Sequence, residues 1–152
     1  MVDRLTKTRR SWNMSQIRGS DTRPERAVRS VLHRLGFRFR LKGISSSLPG
    51  RPDVILRRHK TVIFVHGCFW HRHRNCRLAY TPKSNLEHWH RRFEENVSRD
   101  RRVQKELKSL GWRVLVVWEC ATRSAEELDL CGGVLRWLES GSDYGEFGAP
   151  AR

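Results

Sequence analysis

Two groups of residues in this 152-residue sequence have types and spacing suited to chemistry. The first is Cys68-x4-His73-x2-Cys76, three soft or borderline metal ligands close together, with Cys120 following a strongly apolar run. A closed structural zinc site takes four such ligands tetrahedrally. The first ten residues, MVDRLTKTRR, contain no apolar stretch of the kind a secretory signal needs, so a cytoplasmic location is expected. Thiols there stay reduced, which favours metal ligation over disulfides. The ordinary alternative is that the cysteines are small buried hydrophobes. Their clustering in a loop too polar to have its own core favours zinc, which would staple that loop. Spacing does not choose between His71 and His73 as the histidine ligand. Cys131, near Val134 and Leu135 in a predicted helix, reads as core filler.

The second group centres on Asp53, conspicuous in a chain with few acids. It begins a predicted strand after Leu48-Pro49-Gly50-Arg51-Pro52, and Pro52-Asp53 is similar to the first half of the nuclease signature in which such an Asp binds Mg²⁺. The acid-x-Lys that normally follows on the paired strand is absent. That strand ends Phe64-Val65-His66, with His66 where the lysine would stand. Phosphodiester hydrolysis needs a metal to neutralise the scissile phosphate and a base to activate water. A hairpin would gather Asp53, the Val65 carbonyl, His66 and nearby His71. Glu25 could lie above them, although its ordinary role is to close a helix capping box.

These residues require particular elements to position them. Thr22-x-x-Glu25 with Pro24 opens a helix carrying Val28, Val31, Leu32 and Leu35, closed by Gly36. Phe37, Phe39 and Leu41 alternate with cations as in a half-buried strand. Residues 53–57 and 61–65 read as a β-hairpin turning at Arg58-His59-Lys60. Residues 66–85 are irregular, and 86–110 are helical in pattern. Residues 112–118, WRVLVVW, are a central buried strand. Ser124-x-x-Glu127 opens a last helix to about residue 139. The expected organisation is a basic arm over 1–20, one domain over 21–139 and a flexible, Gly/Ser/Pro-rich tail over 140–152.

The formal charge is +15, from 31 Lys+Arg against 16 Asp+Glu. Residues 1–60 carry +12, residues 61–123 carry +7 and residues 124–152 carry −4. Such a surplus opposes folding unless a polyanion neutralises it, so nucleic acid is the expected partner rather than a membrane.

The sequence resembles the very short patch repair (Vsr) mismatch endonucleases. The matching residues are Asn13-Met14, Thr22-x-x-Glu25, Ser47-Leu48-Pro49-Gly50-Arg51-Pro52-Asp53, Val62-Ile63-Phe64, His66-Gly67-Cys68-Phe69-Trp70-His71, Asn96-Val97-x-Arg99-Asp100-Arg101-Arg102 and Leu110-Gly111-Trp112-Arg113-Val114-Leu115-x-Val117-Trp118-Glu119-Cys120. They cover about residues 11–123. The resemblance implies an α/β, restriction-endonuclease-like fold of the PD-(D/E)xK type: a mixed β-sheet flanked by helices, with a structural zinc site. It implies an enzyme that nicks DNA 5′ to the T of a T:G mismatch, the product of 5-methylcytosine deamination. It implies Mg²⁺ on Asp53 and the Val65 carbonyl, His71 as the base, and His66 and Glu25 orienting waters and phosphate. It assigns zinc to Cys68, His73, Cys76 and Cys120. Two residues separate His73 from Cys76, where the best-known pattern has one.

The resemblance further implies that Phe69 and Trp70 intercalate beside the mismatch from the major groove. Met14, with Ile17 nearby on the arm, would wedge from the minor groove, and Arg92 and Asn96 would contact bases. Wedges of this kind unstack a duplex at a cost of about a few kcal/mol, and a mismatch lowers that cost. The expected state is a monomer acting on double-stranded DNA, with other mismatch-repair proteins taking over the nick. Two alternatives are a nuclease of the same fold with another DNA target, and a zinc-stabilised DNA-binding module without catalysis.

Overall fold

A computed structural model describes residues 6–16, 19–41, 47–123 and 127–148. Ile17 and the Ser124 cap lie outside these residues. Helix α1, Lys7–Ser15, starts where Thr6 Oγ1 accepts the Arg9 N–H at 3.2 Å, and none of its residues is buried. Helix α2, Arg23–Arg34, is capped by Thr22, whose hydroxyl accepts the Glu25 N–H at 3.3 Å. Its apolar stripe, Val28, Val31 and Leu32, is buried.

Among the described residues, five strands form one sheet in chain order: β1 Arg40–Leu41, β2 Val54–Leu56, β3 Thr61–His66, β4 Arg113–Trp118 and β5 Tyr144–Phe147. The β1–β2 and β2–β3 pairs are antiparallel, and β3–β4 and β4–β5 are parallel. Each parallel step needs a long crossover. Helix α4, Leu86–Ser109, lies between β3 and β4 in the chain, and α5, Glu127–Ser140, lies between β4 and β5.

Pleating sends alternate residues of the central strands to opposite faces. Ile63, Leu115 and Val117 pack with the buried residues of α2 and α5. Val62, Phe64, Val114, Val116 and Trp118 pack with Leu107 of α4 on the other face. Burial on both sides explains the continuous apolar run of β4.

Two expectations are corrected. The strand expected over Phe37–Leu41 pairs only at Arg40 and Leu41, while Phe37 and Phe39 pack against the core as irregular chain. The segment expected to fray from Ser140 instead supplies β5. Its register is fixed by Val114 N–H donating to Asp143 O at 2.8 Å and Trp137 Nε1 donating to Tyr144 O at 3.2 Å. The Arg113 guanidinium ties the preceding turn down through the carbonyls of Trp137, Leu138 and Ser142. A four-residue strand containing glycine has little propensity of its own; the neighbouring strand and helix impose it.

Candidate active site and metal centre

The β2–β3 hairpin turns at Lys60, which takes a left-handed conformation at φ 50°. The turn sets a register that brings Asp53, just before β2, opposite the end of β3. Asp53 Oδ2 accepts the Val65 N–H at 2.8 Å, which fixes the orientation of the carboxylate. The preceding loop is drawn close to α4 at Gly50, where φ is +75° and an added Cβ would fall 2.2 Å from Val103. Only glycine fits there.

His66 ends β3 and is buried, 5% exposed. Its ring stacks on His71 at 3.9 Å and meets Trp118 edge-on at 5.4 Å. Burial, and then the neighbouring His71, lower its pKa from 6.5 to about 3. It is therefore a neutral imidazole at physiological pH. His71 closes the one-turn helix α3, Cys68–His71. Its Nδ1 lies 2.6 Å from Asp100 Oδ2 on α4. A carboxylate only accepts, so Nδ1 carries the proton, and Nε2 is the basic nitrogen.

Glu25, Asp53, Val65, His66, His71 and Asp100 line one cavity of about 1090 Å³, with Arg51 and Arg99 also on its wall. Glu25 is 7% exposed, and its Oε2 accepts the Asp21 N–H at 2.9 Å. The structure thus gathers every residue expected at the acidic centre. It adds a role for Asp100, a residue of the matching Asn96–Arg102 run, whose pairing with His71 joins two elements far apart in sequence.

The cysteine–histidine group assembles separately. The ligand atoms of Cys68, His73, Cys76 and Cys120 lie within 4.8 Å of one another. His73 Nδ1 is 3.7 Å from Cys68 Sγ and 3.4 Å from Cys120 Sγ. Tetrahedral zinc with thiolate and imidazole ligands requires sulfur–nitrogen separations of about 3.6 Å, so the donor set fits the ion. Burial pushes the Cys68 thiol upward, partly opposed by a hydrogen bond with the Cys120 backbone, and a cation among the sulfurs would offset the rise. His73, not His71, faces the cysteines. Trp118 stands between the two groups, with the His73 ring stacked on it at 4.4 Å and His66 at its edge.

The rings of Phe69 and Trp70 are half-buried rather than isolated. Phe69 lies 5.1 Å from Trp70, 5.4 Å from Trp89 and 5.2 Å from Phe93, so α4 provides their seat. Arg72 lies over Phe93 at 4.0 Å and donates to Tyr80 O and Thr81 Oγ1, each at 3.0 Å. Asn96 Nδ2 donates to Trp70 O at 3.1 Å, which engages it inside the protein. Arg92 is exposed on α4, and Met14 is 43% exposed on α1. Trp89 shares one stripe of α4 with Phe93 through their i, i+4 spacing, and the fold brings Phe69 against both.

A family model described as DNA mismatch endonuclease Vsr matches residues 2–78. The chain is 50% identical over 120 residues to the type II nicking enzyme V.XorIIP of Xanthomonas oryzae, covering 79% of this chain and 86% of that protein. It is 46% identical over 128 residues to the DNA mismatch endonuclease Vsr of Escherichia coli, covering 84% and 80%. It is also 40% identical over 124 residues to the type II nicking enzyme V.NmeAIP of Neisseria meningitidis, covering 82% and 86%. The chain belongs to the Vsr family of DNA mismatch endonucleases. It is a DNA endonuclease with a mixed α/β fold, and DNA is its partner. Among the described residues, no helix is long and apolar enough to cross a membrane. Two clusters among the described residues of the Vsr chain could hold a cation, Cys68–His73–Cys76–Cys120 and His66–His71–Asp100.

Proposed function

We propose that the protein nicks one strand of duplex DNA on the 5′ side of the T in a T:G mismatch, by Mg²⁺-dependent hydrolysis. The observation that carries this reading is one cavity holding both the Asp53 carboxylate, locked onto the Val65 N–H, and the His71–Asp100 pair.

Asp53 and the Val65 carbonyl would hold Mg²⁺, which when bound neutralises charge on the scissile phosphate. His71 Nε2 removes a proton from the attacking water, and Asp100 stabilises the resulting imidazolium through Nδ1–H. His66, kept neutral by burial, and Glu25 orient waters and phosphate without adding a second positive charge. Arg51 and Arg99 present cations to phosphate oxygens at the cavity wall.

Cys68, His73, Cys76 and Cys120 would hold structural zinc. The same short helix that begins at Cys68 carries Phe69, Trp70 and His71, so the metal fixes wedge and base together. Phe69 and Trp70, backed by Trp89, insert from the major groove; Met14, with Ile17, wedges from the minor groove. Arg92 faces the bases. Asn96 acts on recognition through Trp70, whose carbonyl it holds. The enzyme acts as a monomer in the cytoplasm, and other mismatch-repair proteins take over the nick.

The test is a panel of duplexes carrying each mismatch, incubated with and without Mg²⁺ and resolved on a denaturing gel. A single nick 5′ to T, in the T:G duplex and only with Mg²⁺, is expected. Equal cutting of matched duplex, cleavage of both strands or nicking without a divalent ion would overturn the reading.

A further inference from the structure

We propose that strand β5 is the outer wall of the Cys68–His73–Cys76–Cys120 centre, with Gly148, the residue after it, holding His73 in its ligating position. The C-terminal segment thereby serves metal retention. The inference rests on the zinc reading of that centre.

The register brings the chain to this place. β5 runs parallel to β4 with Val117 opposite Phe147. The next residue, Gly148, therefore arrives beside Trp118, the residue on which His73 stacks. A Cβ built on Gly148 would lie 2.4 Å from His73 Cε1 and 2.6 Å from Nε2. Any side chain there must displace the ring. Nδ1 faces the sulfurs, so the imidazole is held between its thiol partners, Trp118 and the Gly148 backbone.

Loss of a group that positions a ligating histidine typically weakens metal binding about 10–100-fold. The strand has its own anchor away from the centre. Gly145 lies against the Trp137 indole, and Phe147 against Gly133.

The test uses the full chain, with zinc measured first. Zinc release to excess chromogenic chelator is then timed for the wild type, Gly148→Ala and Gly148→Val. The cobalt-substituted proteins are compared by their visible d–d bands. Gly148→Ala adds only the Cβ that meets the ring; its release should be at least about threefold faster. Gly148→Val should release about tenfold faster or more and weaken or shift the cobalt bands as His73 is displaced. Stoichiometric zinc with wild-type release and wild-type bands in the variants would overturn the proposal. If Gly148→Val does not fold, release from Gly148→Ala decides alone. A wild-type protein without zinc would instead refute the zinc reading beneath it.

Discussion

Two imidazoles stacked at 3.9 Å in one cavity have opposite circumstances. His71 has a carboxylate on Nδ1, and His66 has burial and a neighbouring imidazole against it. His71→Ala should lower the single-turnover nicking rate about 10²–10⁴-fold, the range for losing a general base. Asp100→Asn, which keeps size but removes the charge, should lower it about 10²-fold or more, because the imidazole loses its tautomer and its stabiliser. His66 gives a separate prediction about stability. Its folded pKa is about 3 against 6.5 unfolded, so between these values the unfolded chain binds the extra proton. Stability is full above about 6.5 and falls as pH drops through that window, by on the order of 2 kcal/mol at about pH 5. Urea unfolding at a series of pH values should show this slope in the wild type and a shallower one in His66→Gln. At this scale the sequence discloses Asp53, His66 and His71, because their chain neighbours are distinctive. Asp100 stands in the matching Asn96–Arg102 run, but its role emerges only when the fold sets it against His71.

On the proposed reading, helices α3 and α4 together make the recognition edge. The single turn of α3 is too short to hold itself, so Phe69 and Trp70 depend on Trp89, Phe93 and Asn96 of α4 for their seat. Replacing Phe69 and Trp70 together by Ala should leave nicking chemistry intact at saturating enzyme. It should reduce preference for T:G over matched duplex by about tenfold or more, the share of about 1–3 kcal/mol carried by each stacking ring. Competition binding with matched and mismatched duplexes measures it. Elements with strong local patterns, such as α2, β3, α4 and β4, are legible in the sequence because periodicity and burial agree. β5 is not, since its four residues owe their conformation to β4 and α5. The Phe37–Leu41 alternation misleads in the opposite sense: packing of Phe37 and Phe39 against the core satisfies the pattern without a ladder.

Over the whole molecule, 31 cationic side chains against 16 acidic ones make phosphate contact the dominant source of affinity. With roughly 6–10 phosphates neutralised, log affinity should fall with log salt at a slope of about −5 to −9 for matched and mismatched duplex alike. Near-equal slopes with different intercepts would separate charge from wedge recognition. The acidic C-terminal segment, −4 over residues 124–152, supplies β5 beside β4. The most direct test of the account compares Asp53→Asn with wild type on a T:G duplex, measuring equilibrium binding and single-turnover nicking together. The amide oxygen can still accept the Val65 N–H, so only the charge is removed. Binding within about threefold of wild type and nicking slower by at least about a thousandfold is the predicted result. Nicking within about tenfold of wild type in saturating Mg²⁺ would contradict it.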